Sequence, residues 1–417
     1  MIVSRATFPK GGLAWEELRI AMAARSEADI DWRRGRSPLF VFRNDQETYE
    51  IGRKAFLEYF SENALGGTRA FFGIGSMERD VLDYGLELFQ APGDGKGVFT
   101  NGGSESIFLG VKAARDAHRA RRGGGRGLNM VIPDTAHAAF DKAADAMEIE
   151  IRRAPLRADK RANVAGMAQL IDADTVLLVA SAPCYPHGVI DPVAEISELA
   201  VAQGLWLHVD ACVGGWIAPF MTRIGRATGH FDFRFPGVRS ISADLHKFGF
   251  CPKPASTLFF RSREDQERAM FVCDGWPSGV FKTATLSGTR PAGAVAGAWA
   301  VLNHLGTAGY ERAARRLGTM VDDYVADISA IEEIEFWAEP EVSIINFGSR
   351  AIDIFHVAEE MSTRGWLPAL TRRPKGLHLM MSLFHEPVRR EFVVDLKDCV
   401  AAVMRGHGRA KGIEAAY

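Results

Sequence analysis

The sequence has little cysteine and no pattern that would use it as a framework. Its 5 cysteines in 417 residues stand at 184, 212, 251, 273 and 399. None forms a C-x-x-C. An odd, scattered set argues against a disulfide scaffold or a zinc knuckle and fits a reducing compartment. An excess of charge of one sign is missing too. Lys and Arg number 50 against 52 Asp and Glu, a net charge of −2, so the global balance favours neither nucleic acid nor an anionic membrane. Long hydrophobic runs are also lacking. The start, MIVSRATFPKGGLAWEELR, has no apolar signal core. The most apolar stretch, Leu205 to Met221, is interrupted by His208, Asp210 and several glycines, which argues against a membrane span. There is no internal repeat and no low-complexity tract. These absences leave a soluble chain, expected in the cytoplasm, with no nucleic-acid partner.

Apolar residues are plentiful, at 47%, enough for a large core in two or three folding units. Glycine is over-represented, with 42 residues. Tight turns and close approach of backbone to a ligand would use it.

The first part of the chain reads as helical, with apolar spacing that predicts helices over Ala14–Ala28, Thr48–Ala64 and Ser76–Gln90, the last capped by Ser76. From about Lys96 the texture changes. Short apolar runs alternate with helical segments such as Ser104–Arg121 and Val193–Gln203. The runs are Gly97–Thr100, Asn129–Ile132, Glu148–Arg153, Val176–Ala180, Leu205–Val209, Ser240–Ala243 and Thr257–Phe260. Most lack strict alternation, as strands covered on both faces do. Strand–helix alternation predicts an open α/β sheet. A glycine-rich run at 123–127 reads as a surface loop closing a basic helix end. Beyond Pro291, helices are predicted over Ala292–Leu305 and Tyr310–Ile331. A βαβ-like unit follows: Ser343–Phe347, Ile352–Arg364, Leu377–Leu383 and a last helix from Glu391 to Met404.

Four features carry chemistry. Lys247, in ISADLHKFGF, follows an apolar strand in a poor place for a solvated charge. Burial would lower its pKa and free the amine for Schiff-base chemistry, or the side chain would snorkel to water. Asp210 ends the apolar strand LWLHVD and needs a partner, either a protonated pyridine ring or a structural cation. The lack of a nearby second acid and of H-x-x-H spacing speaks against a metal. Thr100 to Ser106, TNGGSES, links a strand to a helix start. Gly102, Gly103 and Ser104 there suit an anion at unpaired backbone amides, or a simply capped helix. The run is neither a Walker loop nor G-x-G-x-x-G. His137 lies just before a helix, where its ring could stack on a flat cofactor or be an ordinary hydrogen-bonded histidine. All four fall beyond carboxyl ends of strands, where open α/β sheets bind ligands. An anion cradle, a cation-pairing acid and an amine together point to pyridoxal 5'-phosphate.

The stretches TNGGSESIFLGVKAARD, SAPCYPHGVIDPVAEISELA, HVDACVGGWIAPFM and FDFRFPGVRSISADLHKFGFCPKPAS resemble the pyridoxal-phosphate-dependent group II decarboxylase superfamily. Within it they resemble the sphingosine-1-phosphate lyase branch. The resemblance implies a fold-type I architecture: a large, mostly parallel seven-stranded sheet domain plus a small C-terminal α/β domain. On this reading residues 1–65 form an N-terminal helical arm, 66–310 the cofactor-binding domain and 311–417 the small domain. It also implies a homodimer with interface active sites. Lys247 then matches the Schiff-base lysine, Asp210 the pyridine-nitrogen partner, His137 the stacking histidine, and Gly103 and Ser104 the phosphate contact. His246 would also contact the phosphate, Lys253 would be a second active-site lysine, and Thr289 would reach the neighbouring subunit's cofactor. Asn101, Ser104, Cys184 and Pro254 depart from the usual residues of the family at their positions. The resemblance implies retro-aldol cleavage of a phosphorylated 2-amino-3-hydroxy substrate into an aldehyde and an amine, phosphoethanolamine in the family, with Lys253 or Lys247 as base. Amino-acid decarboxylation on the same cofactor is the alternative; Arg69, Arg290 and Arg372 are its candidate carboxylate partners. A non-catalytic scaffold or regulator is the third reading, disfavoured by the intact Lys247, Asp210, His137 and Lys253.

Overall fold

A computed structural model describes residues 5–123, 127–226 and 228–406. The glycine-rich loop expected at 123–127 lies largely outside them, as do both chain ends. The chain opens with α1 (Trp15–Arg25), α2 (Gln46–Glu58) and α3 (Phe72–Leu88). Two of these differ from the periodicity reading. α2 stops at Glu58, and the chain turns into a short 3-10 turn, Ala64–Gly66, capped by the Asn63 side chain on the Leu65 amide at 3.0 Å. α3 begins at Phe72, and Ser76 is no cap, because the Gly75 amide already bonds to the Phe71 carbonyl at 3.1 Å.

Next come β1 (Lys96–Thr100), α4 (Gly103–Arg122), β2 (Asn129–Pro133), α5 (Ala139–Met147), β3 (Glu150–Ala154), α6 (Val164–Gln169), β4 (Thr175–Ser181) and α7 (Val193–Gln203). They are followed by β5 (Trp206–Asp210), α8 (Ala218–Arg223), β6 (Val238–Ala243) and β7 (Ser256–Phe260). The strands form one seven-stranded sheet in the order β1-β7-β6-β5-β4-β2-β3. β7 runs antiparallel to both neighbours; the other pairs are parallel. β3 starts later than its apolar run suggested. Glu148 takes φ 53° to close α5 and cannot extend the strand.

Both faces of the sheet are buried, which explains the missing alternation. In β4 every residue is buried: Leu178 and Ala180 join one core and Leu177 and Val179 the other. Parallel strands all point their carboxyl ends the same way, so Thr100, Ser181, Asp210 and Ala243 finish along one edge. That edge holds the site.

A short helix, α9 (Arg263–Ala269), and a hairpin, β8 (Phe271–Cys273) with β9 (Phe281–Thr283), lead to α10 (Ala292–Ser329). The two helices expected here are both present within this span, separated by a kink at Gly306, whose φ of 53° and ψ of −175° interrupt the helical path. The 310/311 division drawn from sequence falls inside α10, just past this break. The remainder comprises β10 (Glu335–Phe336), β11 (Ile344–Gly348), α11 (Ile354–Thr363), β12 (Ala369–Arg372), β13 (Lys375–Met380) and α12 (Arg389–Met404). Its sheet order is β10-β11-β13-β12, antiparallel throughout. The βαβ texture is therefore a different topology. β12, too short and polar to signal itself, follows α11, and the chain reverses so that β13 pairs antiparallel with β11. Among the described residues no helix is long and apolar enough to cross a membrane.

Candidate active site

The anion cradle is built first. β1 ends at Thr100, and α4, 20 residues long, starts at Gly103. The amides of Glu105 and Ser106 bond back to the Gly102 carbonyl at 3.0 and 3.1 Å. No described backbone bond uses the amides of Gly103 and Ser104, which leaves them and the positive helix end for an anion. Glu105 fixes the turn: one carboxylate oxygen accepts from the Asn101 amide at 2.7 Å, the other from the Leu286 and Ser287 amides at 2.9 and 3.2 Å.

Glycine is required here by close approach. A Cβ on Gly103 would lie 2.8 Å from Cys212 Sγ and 2.9 Å from both Asp244 carboxylate oxygens. Gly103→Ala should therefore displace the cradle and raise the dissociation constant for pyridoxal phosphate at least tenfold, about 1.4 kcal/mol. A titration followed by absorbance checks this, and an unchanged constant would remove Gly103 from the cradle.

Gly102, Gly103, Ser104, His137, Asp210, His246 and Lys247 line one cavity of about 460 Å³. Asp210 ends β5 and is buried. Its Oδ1 accepts from the Cys212 amide at 3.1 Å and the Ser242 hydroxyl at 3.3 Å. Both contacts converge on one oxygen, so the other is left for a cation in the cavity. His137 precedes α5, and its Nδ1 accepts the Ala139 amide at 3.1 Å, which places a neutral ring's proton on Nε2. Loss of solvent lowers its pKa.

Lys247 departs from the sequence expectation. Burial alone would lower its pKa, but the carboxylates of Asp244 and Asp210 outweigh that, and the net shift is upward. Its Nζ sits 3.1 Å from Asp244 Oδ2. Asp244 is itself buried and, despite that burial, held below the usual carboxylate range, chiefly by the Lys247 ammonium. The lysine with the lowered pKa is Lys253. It does not line the cavity and is exposed as a residue, yet its Nζ reaches back to 3.4 Å from the His246 carbonyl and lies 5.5 Å from the Phe42 ring centre. Desolvation of the amine, with Lys247 nearby, brings its pKa to about 8. Thr289 is also outside this chain's cavity. It is exposed and accepts from Asn63 Nδ2 at 3.3 Å.

Sequence reasoning missed Asp244, Glu105 and Tyr185, all of which line the cavity. Asp244 had a signal, since it follows an apolar strand as directly as Asp210 does. Tyr185 sits in the loop after β4, its ring centre 4.5 Å from His378 and 6.0 Å from His137. Nothing in the local sequence marked it.

The residues present fit pyridoxal phosphate. A methyl on Gly102 would meet only His246 Cε1, at 3.9 Å, in the space where a phosphate would lie. Asp244 Oδ1 is buried without a hydrogen-bond partner in a site that also holds an amine. Among the described residues no group of three or more His, Cys, Asp or Glu could hold a metal ion.

Residues 74–350 match the pyridoxal-dependent decarboxylase conserved domain. The chain is similar to the sphingosine-1-phosphate lyase of Arabidopsis thaliana, with 38% identity over 76% of this chain and 58% of that protein. It spans less than two thirds of that relative's length. It is also 33% identical to a probable L-tyrosine/L-aspartate decarboxylase of Methanothrix thermoacetophila, over 96% of this chain and 99% of that one. Among solved structures, a sphingosine-1-phosphate lyase of Burkholderia pseudomallei superposes with a TM-score of 0.91 at 33% identity. The superposition covers 97% of this chain and 94% of that chain.

Proposed function

The chain belongs to the pyridoxal-dependent decarboxylase family, and on that premise we propose that it is a carbon–carbon lyase acting on a phosphorylated 2-amino-3-hydroxy substrate such as a sphingoid base phosphate. The products are an aldehyde and a small amine, phosphoethanolamine for that substrate. When bound, pyridoxal phosphate supplies an electron sink for the carbon that carries the amine. The protein's part is to place groups around it. The amides of Gly103 and Ser104, with His246, would hold the phosphate. Asp210 would keep the ring nitrogen protonated. His137 would stack on the ring, and Lys247 would be the covalent anchor.

The observation that carries the lyase reading is Lys253. Decarboxylation removes no proton from the substrate, whereas retro-aldol cleavage must take one from a β-hydroxyl. A lysine with a pKa of about 8, its Nζ at the cavity's border 3.4 Å from the carbonyl of the lining residue His246, is suited to that task. As the hydroxyl loses its proton to Lys253 Nζ, the Cα–Cβ bond breaks and Cβ leaves as the aldehyde carbon. The electron pair stays with Cα, which then takes a proton. Of the arginines suggested for a substrate carboxylate, Arg290 is locked by Glu78 in a two-point pair at 2.8 and 3.1 Å. Arg69 is exposed, and Arg372 lines a neighbouring cavity that adjoins the site at Tyr185. Among the described residues of this chain, no arginine lines the site.

Decarboxylation stays as the second reading because the Methanothrix relative matches over nearly its whole length. Incubation with sphinganine phosphate and, separately, with tyrosine, aspartate and glutamate decides between them. Long-chain aldehyde from the first, with no carbon dioxide from the others, is expected; the reverse overturns the lyase. The rate should rise with pH through about 8, where Lys253 becomes neutral, and Lys253→Met should remove that rise.

The active unit in this reading is a homodimer whose Thr289 faces the partner's cofactor. Its support is exposed apolar surface: α1 has no buried residue, and Trp15, Phe60, Phe72 and Trp276 are all more than half exposed. The five unpaired cysteines support a cytoplasmic location.

A further inference from the structure

We propose that Asp244 is a positioning residue that holds the Lys247 ammonium whenever that nitrogen is free of the cofactor, and so divides the two lysines into one proton carrier and one base. The inference rests on Lys247 being the cofactor's anchor, but not on which substrate bond is cleaved.

The geometry is specific. Asp244 lies just past β6 and is 3% exposed. Oδ2 is 3.1 Å from Lys247 Nζ and 3.6 Å from His246 Nε2. Oδ1 is buried and takes no hydrogen bond. A carboxylate this deep is costly unless a cation stays close. His246 cannot easily be that cation. Its Nδ1 accepts the Ala255 amide at 3.1 Å, so that nitrogen carries no proton, and burial keeps the ring neutral. Lys247 is the counter-charge that remains. Gly103 closes the arrangement from above, since even a methyl there would strike both Asp244 oxygens. The acid is wedged between the cradle and the amine and cannot swing away to water.

The other charged groups facing Lys247 do not replace it. Asp210, from the end of β5, has one oxygen engaged by the Cys212 amide and Ser242. Cys212 is buried and its thiol is pushed far toward the neutral form. His137 is held toward neutral by loss of solvent. Lys253 is no counter-charge either: it is a second amine, and the Lys247 ammonium disfavours its protonation. Without Asp244 the two lysines would compete to lose a proton. With it, Lys247 stays charged and Lys253 is the one that can accept.

The test reads protonation rather than turnover. Full-length protein freed of cofactor is mixed with pyridoxal phosphate between about pH 6 and 10, and the rate of appearance of the visible band is recorded. Covalent capture needs the neutral amine. In Asp244→Asn the rising pH–rate curve should move to lower pH by one unit or more, so capture at a given pH on that rise becomes about tenfold faster or more. Asp244→Glu should restore most of the wild-type position of the curve. An Asp244→Asn curve that coincides with wild type on the pH axis overturns the proposal, even if occupancy drops, because a merely structural role would weaken binding without moving the curve.

Should Asp244→Asn not fold, the wild type decides alone. The pH dependence of acetic anhydride labelling at Lys247 is compared, by peptide mass, with that at the exposed Lys54 of the same chain. A Lys247 midpoint above that of Lys54 is expected; one equal or lower overturns the proposal. Failure of the cofactor to attach at Lys247 at all would instead sink the reading of the site. Correct attachment with an unmoved curve sinks only the role of Asp244.

Discussion

Lys247→Ala is expected to give a folded protein that binds pyridoxal phosphate only reversibly and turns over at least about 10³-fold more slowly. Two things leave with the side chain. One is the covalent anchor. The other is the counter-charge 3.1 Å from the buried carboxylate of Asp244. The first controls chemistry and the second controls stability, and a second variant separates them. Lys247→Arg keeps a positive charge for Asp244 but cannot form the covalent link. Both variants should lose the cofactor that borohydride fixes to the wild-type chain, read as a mass increment on the peptide containing residue 247. The cofactor-free alanine variant should also melt below cofactor-free wild type, because an unpaired buried carboxylate costs several kcal/mol unless it takes a proton. The arginine variant should recover part of that loss. A borohydride-fixed cofactor on another lysine of Lys247→Ala would move the anchor elsewhere, and Lys253 would be the first place to look.

Much of this architecture was legible in the chain because the relevant signals are local. Most of the strand runs reflect burial on both faces, the edge strand β3 excepted, and burial leaves apolar runs in the sequence. Asp210 and Lys247 could be recognised because each puts an ionisable group at the end of such a run, where a folded sheet offers no water. The cradle could be read because two glycines and a hydroxyl between a strand and a helix have few other uses. What was not legible depends on contacts between distant segments. α3 starts at Phe72 because the chain before it folds back on Gly66, whose carbonyl accepts the amides of Arg69, Ala70 and Phe71. β12 is four residues long and gains its place only by pairing with β13. The pKa of Lys247 was expected to fall, since burial lowers it. The sign is reversed by Asp244, which no single-residue reading brings within hydrogen-bond distance. Tyr185 enters the cavity from a loop without periodicity.

Asp210→Asn is the sharpest test of the electronic half of the site. The asparagine keeps the shape and an oxygen that can still accept the Cys212 amide and the Ser242 hydroxyl, which reach Oδ1 at 3.1 and 3.3 Å. The fold and the covalent attachment at Lys247 should therefore survive, with a melting temperature close to wild type. The negative charge is what disappears. Two unit charges about 4 Å apart in a partly screened site interact by about 4 kcal/mol. If that attraction keeps the ring nitrogen protonated as charge develops in the transition state, its loss corresponds to about 10³-fold in rate. Turnover in Asp210→Asn should fall by that order, and Asp210→Ala should fall at least as far while also losing stability, because the Cys212 amide then lacks its acceptor. A variant carrying asparagine at 210 that binds the cofactor normally and turns over within a few-fold of wild type would mean that the carboxylate serves the end of β5 rather than the ring. The cation implied by a buried acid at this strand end would then have to be sought elsewhere, and Lys247 itself is the nearest candidate.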